Sequence, residues 1–334
     1  MIRVTVRQML YFDALAQTLH FGRAAEMAGV TQPALSAQIA EMEERLNCRL
    51  FERGSKQVFM TEEAQALKPR IERILAEIRD LETVARRGRL TMEGRFRLGV
   101  IPTIAPYLLP HALPDLRKRF PALNLELRES VTSALAEETA SGRIDAFVAA
   151  LPIEHPALST VELFADRFFL AVPEDDLRFV SPPVPPESPA LERLMLLEEG
   201  HCLREQALAV CGSVKPLAMA SYGATSLTTL LQMVAHGLGI TLIPEMARPA
   251  SRDMRNVKIV PFCEPMPERR VCLAWRRNSP RHDECTELAR ILRGLRRSMM
   301  GEEESRESGE PDAEAQPPLR LLDQRNAIAP SGGT

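Results

Sequence analysis

The sequence predicts an α/β protein built from a helical head, one long connector helix and a larger body of alternating strands and helices. Three observations lead there. Apolar residues recur at helical spacing between Met9 and Leu46, and they continue in alternating steps of three and four from Ala64 to Ala85. Beyond Arg95, short apolar runs rich in β-formers alternate with helical segments, the pattern of βαβ units.

The 334 residues suffice for two or three domains with a substantial core. Hydrophobic content of 45% and charged content of 26% are those of an ordinary soluble protein. Met1 to Arg7 lacks the apolar core of a signal peptide, and the uncharged run from Pro216 to Pro244 is broken by Gly223, Gly237 and Gly239. That run reads as a buried helix and strand, so a cytoplasmic location with no membrane partner is expected.

Net charge is −3, which looks wrong for a nucleic-acid binder until it is divided. Residues 1–90 carry 14 Lys and Arg against 12 Asp and Glu, whereas residues 301–334 carry 3 against 8. The acidic excess belongs to the tail, and the head can still present a basic face. Six cysteines without Cys-x-x-Cys or paired-histidine spacing argue against zinc or any other metal, and no cofactor is expected. Neither a Gly-x-Ser-x-Gly elbow nor a phosphate loop is present, so an enzyme gains no support.

In the head, Met9, Phe12, Leu15 and Leu19 line one face of a first helix, and Phe21 to Ala28 gives a short second one ended by Gly29. Thr31 can cap a third helix with Pro33 in its first turn, held inward by Leu35, Ile39, Met42 and Leu46. Thr31, Gln32, Ser36 and Gln38 fall largely outside that stripe, and amides and hydroxyls suit base edges and phosphates. Helix, glycine turn and helix at this spacing is a helix-turn-helix, although a plain three-helix bundle with a solvated face has the same pattern. Leu50 to Arg53 and Val58 to Met60 read as a hairpin, with Arg53 and Lys56 near its tip as phosphate contacts or as solvated turn charges.

The connector repeats Ala64, Leu67, Ile71, Ile74, Ile78, Leu81 and Ala85 as a coiled-coil seam, which implies a dimer; packing against its own domain is the alternative. Pro69 should kink or restart it. In the body, Arg95 to Val100, Leu123 to Leu127 and Ala146 to Ala149 are expected as strands, then Phe168 to Val172, Leu194 to Leu197 and Gly239 to Ile243 as a second parallel set. Arg269 to Trp275 and a helix from about Pro280 to Met299 return to the first set. Ser181 to Pro186 should be a surface loop. Thr103 and Thr132 follow strand ends, where α/β sheets bind small molecules, though each could simply cap a helix.

Cys202 and Cys211 bracket a run of good helix formers set between Gly200 and Gly212. One intact helix would hold their Cα atoms ~13 Å apart, while a disulfide needs about 7 Å or less. Cys202 would sit at the helix N-terminus, where free N–H groups favour a thiolate, and His201 and Arg204 could add positive charge against Glu198 and Glu199. Two buried, inert thiols would have the same spacing; Cys263 and Cys272 are also nine apart.

Thr31-Gln32-Pro33-Ala34-Leu35-Ser36-Ala37-Gln38-Ile39 followed by Leu50-Phe51-Glu52-Arg53 resembles the winged DNA-binding head of the LysR-type transcriptional regulators, from about Val6 through Glu63. Gly200-His201-Cys202-Leu203-Arg204 with Cys211, and the string Ile101 to Pro110 around Thr103, resemble the hydrogen-peroxide-sensing branch of that family; Ala224 to Leu227 and Gly239 to Pro244 are similar to LysR proteins more widely. The resemblance implies a Rossmann-like regulatory domain of two lobes with a cleft, as in periplasmic binding proteins. Its domains would be a winged helix-turn-helix over 1–62, a linker over 63–92, a redox-sensing domain over 93–300 (lobe I about 93–165 and 269–300, lobe II about 166–268), and a disordered acidic tail over 301–334.

The resemblance further implies a reversible Cys202–Cys211 disulfide, a peroxide pocket of Thr103, Thr132, His201 and Arg269 (or its neighbour Arg270), and DNA contacts from Thr31, Gln32, Pro33, Ser36, Gln38, Arg53 and Lys56. Expected partners are double-stranded promoter DNA, a second copy in a dimer or homotetramer, RNA polymerase and a thiol reductant system, for an activator in the oxidative-stress response. Family members often carry histidine and arginine where Ser221, Tyr222 and Gly223 stand here. Two readings compete: a LysR regulator whose cleft binds an organic effector, and a thiol-dependent peroxidase.

Overall fold

The computed structural model describes residues 3–54, 58–86, 92–175, 181–186, 188–212, 224–251, 254–307 and 321–322. The chain divides into two compact units, Met1–Arg87 with Ala140–Arg143, and Gly88–Thr139 with Ile144–Thr334.

In the first unit, α1 (Val6–Thr18) opens with a capping box: the Gln8 N–H donates to Thr5 Oγ1 at 3.2 Å, and the Thr5 N–H donates to Gln8 Oε1 at 3.0 Å. In α2 (Phe21–Met27) the cap is a histidine, His20, whose Nδ1 accepts from the Gly22 and Arg23 N–H groups. Gly29, at φ +65°, makes the turn into α3 (Gln32–Leu46), a conformation that costs a residue with a side chain. Phe12, Leu15, Leu35, Ile39, Met42 and Leu50 form the buried centre. Thr31 occupies the cap position of α3 but makes no side-chain capping bond, contrary to expectation.

The wing is β1 (Phe51–Arg53) antiparallel to β2 (Val58–Met60). It is pinned by Glu43, whose Oε1 accepts from the N–H groups of Leu50 (2.7 Å) and Phe51 (3.1 Å). α4 (Glu62–Arg86) follows as a continuous helix through Pro69, so the expected restart does not occur. Its apolar stripe is divided. Ala64 and Ile71 are used in the head's own core, whereas Ile74, Leu81 and Val84 are 41%, 69% and 57% exposed.

The second unit is organised on one strand. β6 (Leu158–Pro173) lies in the main sheet, whose order from the edge strand β10 (Leu321–Leu322) is β10-β6-β9-β5-β3-β4. Here β3 (Gly94–Val100) runs parallel to β4 (Leu123–Glu129) and β5 (Ala146–Ala150), and β9 (Glu268–Arg276) runs antiparallel to β5 and β6. Beyond Arg167 the same strand pairs antiparallel with β7 (Thr241–Pro244) and β8 (Val257–Pro261). The second set is therefore not the parallel array expected. Leu194 and Leu197 make only isolated parallel bridges, to Ile240 and Ala224.

The helices are α5 (Ala105–Arg119), α6 (Thr132–Ala140), α7 (Cys202–Cys211), α8 (Leu227–Ala235), α9 (Arg248–Ser251) and α10 (His282–Glu307). Phe168, Leu170, Val172, Leu203, Leu230, Val234, Leu242 and Ile243 pack the second lobe. Val184 is buried within the Ser181–Pro186 loop, bridged to Phe262. The segment expected to be disordered from residue 301 onward departs from expectation twice: α10 continues to Glu307, and Leu321–Leu322, as β10, pairs with Thr160 and Val161 at the edge of β6. No described helix is long and apolar enough to cross a membrane.

Candidate functional site

The ten residues of α7 begin at Cys202 and end at Cys211, and both thiols are free. Leu203, Ala207 and Cys211 form the face packed into the second-lobe core, while Cys202 is half-buried. Burial pushes the Cys211 thiol above its ordinary pKa, so it stays protonated at neutral pH. Gly200 turns the chain into the helix at φ +91°. A Cβ there would stand 3.8 Å from Val131 Cγ1, so this turn lies over the residue preceding α6.

Thr132 is the first residue of α6. Its Oγ1 is buried and has no hydrogen-bond partner. Such a hydroxyl forfeits roughly 1–3 kcal/mol unless a small polar molecule supplies the missing bond.

Thr103, at the end of β3, is buried and tied to Arg269 at the start of β9. Arg269 Nη1 donates to Thr103 Oγ1 at 2.9 Å and Nη2 to its carbonyl at 3.0 Å. Its neighbour Arg270 is instead exposed and pairs with Glu162 at 3.1 Å. Cys272 lies three residues further along β9. Burial pushes its thiol far up.

In its charge, His201 departs from expectation. It is nearly buried, and burial lowers its pKa more than Glu198 raises it, so the ring is neutral at neutral pH and brings no positive charge to Cys202. Arg204 donates instead to the Leu197 carbonyl at 3.0 Å.

Three buried charges went unnoticed in the sequence. Asp166 Oδ2 accepts from Arg269 Nε at 2.9 Å, and both side chains have no solvent exposure. Arg296, from α10, donates to Glu245 at 2.8 Å and approaches Asp166 Oδ1 at 3.7 Å. Burial raises the Glu245 pKa, with Arg296 opposing. Each of these residues looks like an ordinary surface charge along the chain, and the only signal was the Asp166-Arg167 pair inside an otherwise apolar run.

In the head, Thr31, Gln32 and Pro33 are exposed at the start of α3, while Ser36 and Gln38 are half-buried. Gln38 donates to Glu41 at 2.9 Å. The Arg53 side chain, Lys56 and Ser221 to Gly223 lie outside the described residues. Among the described residues no group of three His, Cys, Asp or Glu side chains is arranged to hold a metal.

Residues 6–65 match the family model described as bacterial regulatory helix-turn-helix protein, lysR family, and residues 91–296 match the LysR substrate binding domain. The chain is 38% identical over 290 residues to the DNA-binding transcriptional dual regulator OxyR of Escherichia coli, spanning 87% of this chain and 95% of that one. Among solved structures, a full-length cysteine-to-aspartate variant of OxyR from Pseudomonas aeruginosa superposes with a TM-score of 0.71 at 31% identity, covering 88% of this chain and 96% of the other. A hydrogen-peroxide-bound cysteine-to-serine variant of OxyR from Corynebacterium glutamicum gives 0.62 at 29% identity, over 92% and 97%. Head and body thus match one family over most of their length, and the chain belongs to the LysR family of bacterial transcriptional regulators.

Proposed function

We propose that this protein is a DNA-binding transcriptional regulator that senses hydrogen peroxide through a reversible Cys202–Cys211 disulfide. One observation carries the reading: a single helix begins at one cysteine and ends at the other, with both thiols free. While that helix is intact the sulfurs cannot meet.

The exposure of the two thiols sets the order of events. Cys202, the reachable sulfur, attacks one oxygen of peroxide as a thiolate; an S–O bond forms and the O–O bond breaks. The sulfur is oxidised to a sulfenic acid, and the other oxygen leaves as hydroxide and becomes water on taking from solvent the proton that the Cys202 thiol released. Thr103 and the unpartnered Thr132 hydroxyl are the groups that hold the peroxide, with His201 and Arg269 beside them. Once α7 opens and exposes it, Cys211 gives up its proton and attacks the sulfenic sulfur; the S–O bond breaks, the hydroxide leaves with that proton as water, and the disulfide forms. A dithiol reductant returns both thiols.

Opening α7 changes contacts between subunits of a dimer or tetramer and, through the connector, the spacing of the heads on promoter DNA. Thr31, Gln32, Pro33, Ser36 and Gln38, with Arg53 and Lys56 of the wing, contact that DNA. RNA polymerase and a cytoplasmic setting follow from this role. The DNA-binding head supports a regulator over a peroxidase.

Disulfide mapping after a few equivalents of peroxide should find Cys202 joined to Cys211, and a Cys202→Ser variant should lose its promoter response while still binding DNA. Thiols that survive at both positions overturn the reading. A Cys202→Ser variant that still responds would point to an organic effector in the cleft.

A further inference from the structure

Asp166 stands where β6 changes sheets. It still pairs with Arg269 of β9, whereas the strand pairs with β7 from Phe168 and with β8 from Phe169. Oδ2 accepts from Arg269 Nε at 2.9 Å and Oδ1 from the Met246 N–H at 3.0 Å, in the turn following β7. Both oxygens are thereby committed, one to each lobe.

Arg269 in turn has its Nε held by the acid and both terminal nitrogens on Thr103. Because Thr103 Oγ1 accepts from Nη1, its own hydrogen points elsewhere and can be donated to an incoming oxygen. A threonine without that arginine could spend its hydrogen on any nearby carbonyl.

We propose that Asp166 is a positioning residue for peroxide reduction: it fixes Arg269, and Arg269 fixes the Thr103 hydroxyl as a donor to the peroxide oxygen that leaves. The proposal rests on the reading above, in which Thr103 and Arg269 border the peroxide that Cys202 attacks. As the S–O bond forms, the departing oxygen gains negative charge, takes a hydrogen bond from Thr103 and becomes water on accepting a proton from solvent. A donor aimed beforehand needs no reorganisation at that moment.

The experiment uses the full-length chain with Cys211→Ser, so that oxidation stops at one step. The rate of Cys202 sulfenic acid formation by peroxide is divided by its rate of alkylation by iodoacetamide, which normalises for the ionised fraction. Asp166→Asn keeps the shape but cannot accept from both Arg269 and Met246, and it should lower the ratio about 10- to 100-fold, the scale on which single oriented donors act. Arg269→Lys keeps the buried charge pair but cannot reach Asp166 and both Thr103 oxygens; it should lower the ratio similarly and serves if Asp166→Asn fails to fold. Combining Asp166→Asn with Arg269→Gln should be no slower than Arg269→Gln alone if Asp166 acts through the arginine. A parental ratio in folded Asp166→Asn or in Arg269→Lys overturns the proposal. A parent whose Cys202 ignores peroxide overturns instead the reading on which it rests.

Discussion

Between Glu198 and Cys202 the chain buries a neutral imidazole, that of His201, at the start of α7. The unfolded chain takes up a proton on His201 near pH 6.5, whereas the folded chain resists it to lower pH because burial penalises the charged ring. Protons therefore favour the unfolded form. The stabilisation from this group is complete above about pH 6.5 and is lost as pH falls through the lowered value. Urea midpoints read by Trp275, the only tryptophan and one buried in β9, should decline from pH 7.5 to 5.5, and His201→Gln should flatten the decline. Equal slopes in parent and variant would remove His201 from the account. At this scale the sequence was partly legible. Thr103, Thr132 and the two cysteines carry a local pattern, so they could be proposed from it. Asp166 could not, because it becomes meaningful only when folding brings it to Arg269, 103 positions away.

Elements were more legible where a local signal closes both ends. Gly200 and Gly212 bound α7 as the spacing predicts, and Gly29 makes the turn before α3. Pro69, expected to kink or restart the helix, does not end it, for an equally physical reason. A proline inside a helix costs about 3 kcal/mol, but Ala64 and Ile71 on either side are seated in the head core and hold α4 through it. The same seating uses up part of the stripe that had read as one seam. Of what remains, Ile74 and Leu81 are exposed, with Val84 beside them, and a second copy of α4 would offer a surface of matching pattern. Leu81→Glu should therefore weaken binding of the full-length protein to a two-half-site promoter at least about 10-fold, while leaving thermal unfolding of the head unchanged. Gel-shift titrations against whole and half sites would test this, and equal losses on both would place Leu81 outside the dimer seam.

For the whole molecule, periodicity predicts a head, a connector and an α/β body, but it says nothing of how the two lobes are joined. Glu162, Asp166 and Arg167 interrupt the apolar pattern of β6, so only its last stretch looked like a strand. The observed strand runs unbroken for 16 residues and gives its first part to one sheet and its last to another. A strand shared in this way links the stability of both sheets, because releasing Phe168 to Ala171 from β7 frees the segment that continues into the pairing with β9. Leu242→Ala, in the buried centre of β7, should cost about 2–5 kcal/mol, and the loss should not stop at the second lobe. Hydrogen exchange should show Val148 and Leu273 of the first sheet losing as much protection as Leu170, while Ile39 and Met42 of the head keep theirs. If Leu170 alone opens early and the first sheet stays protected, the lobes fold independently and β6 is only a tether between them.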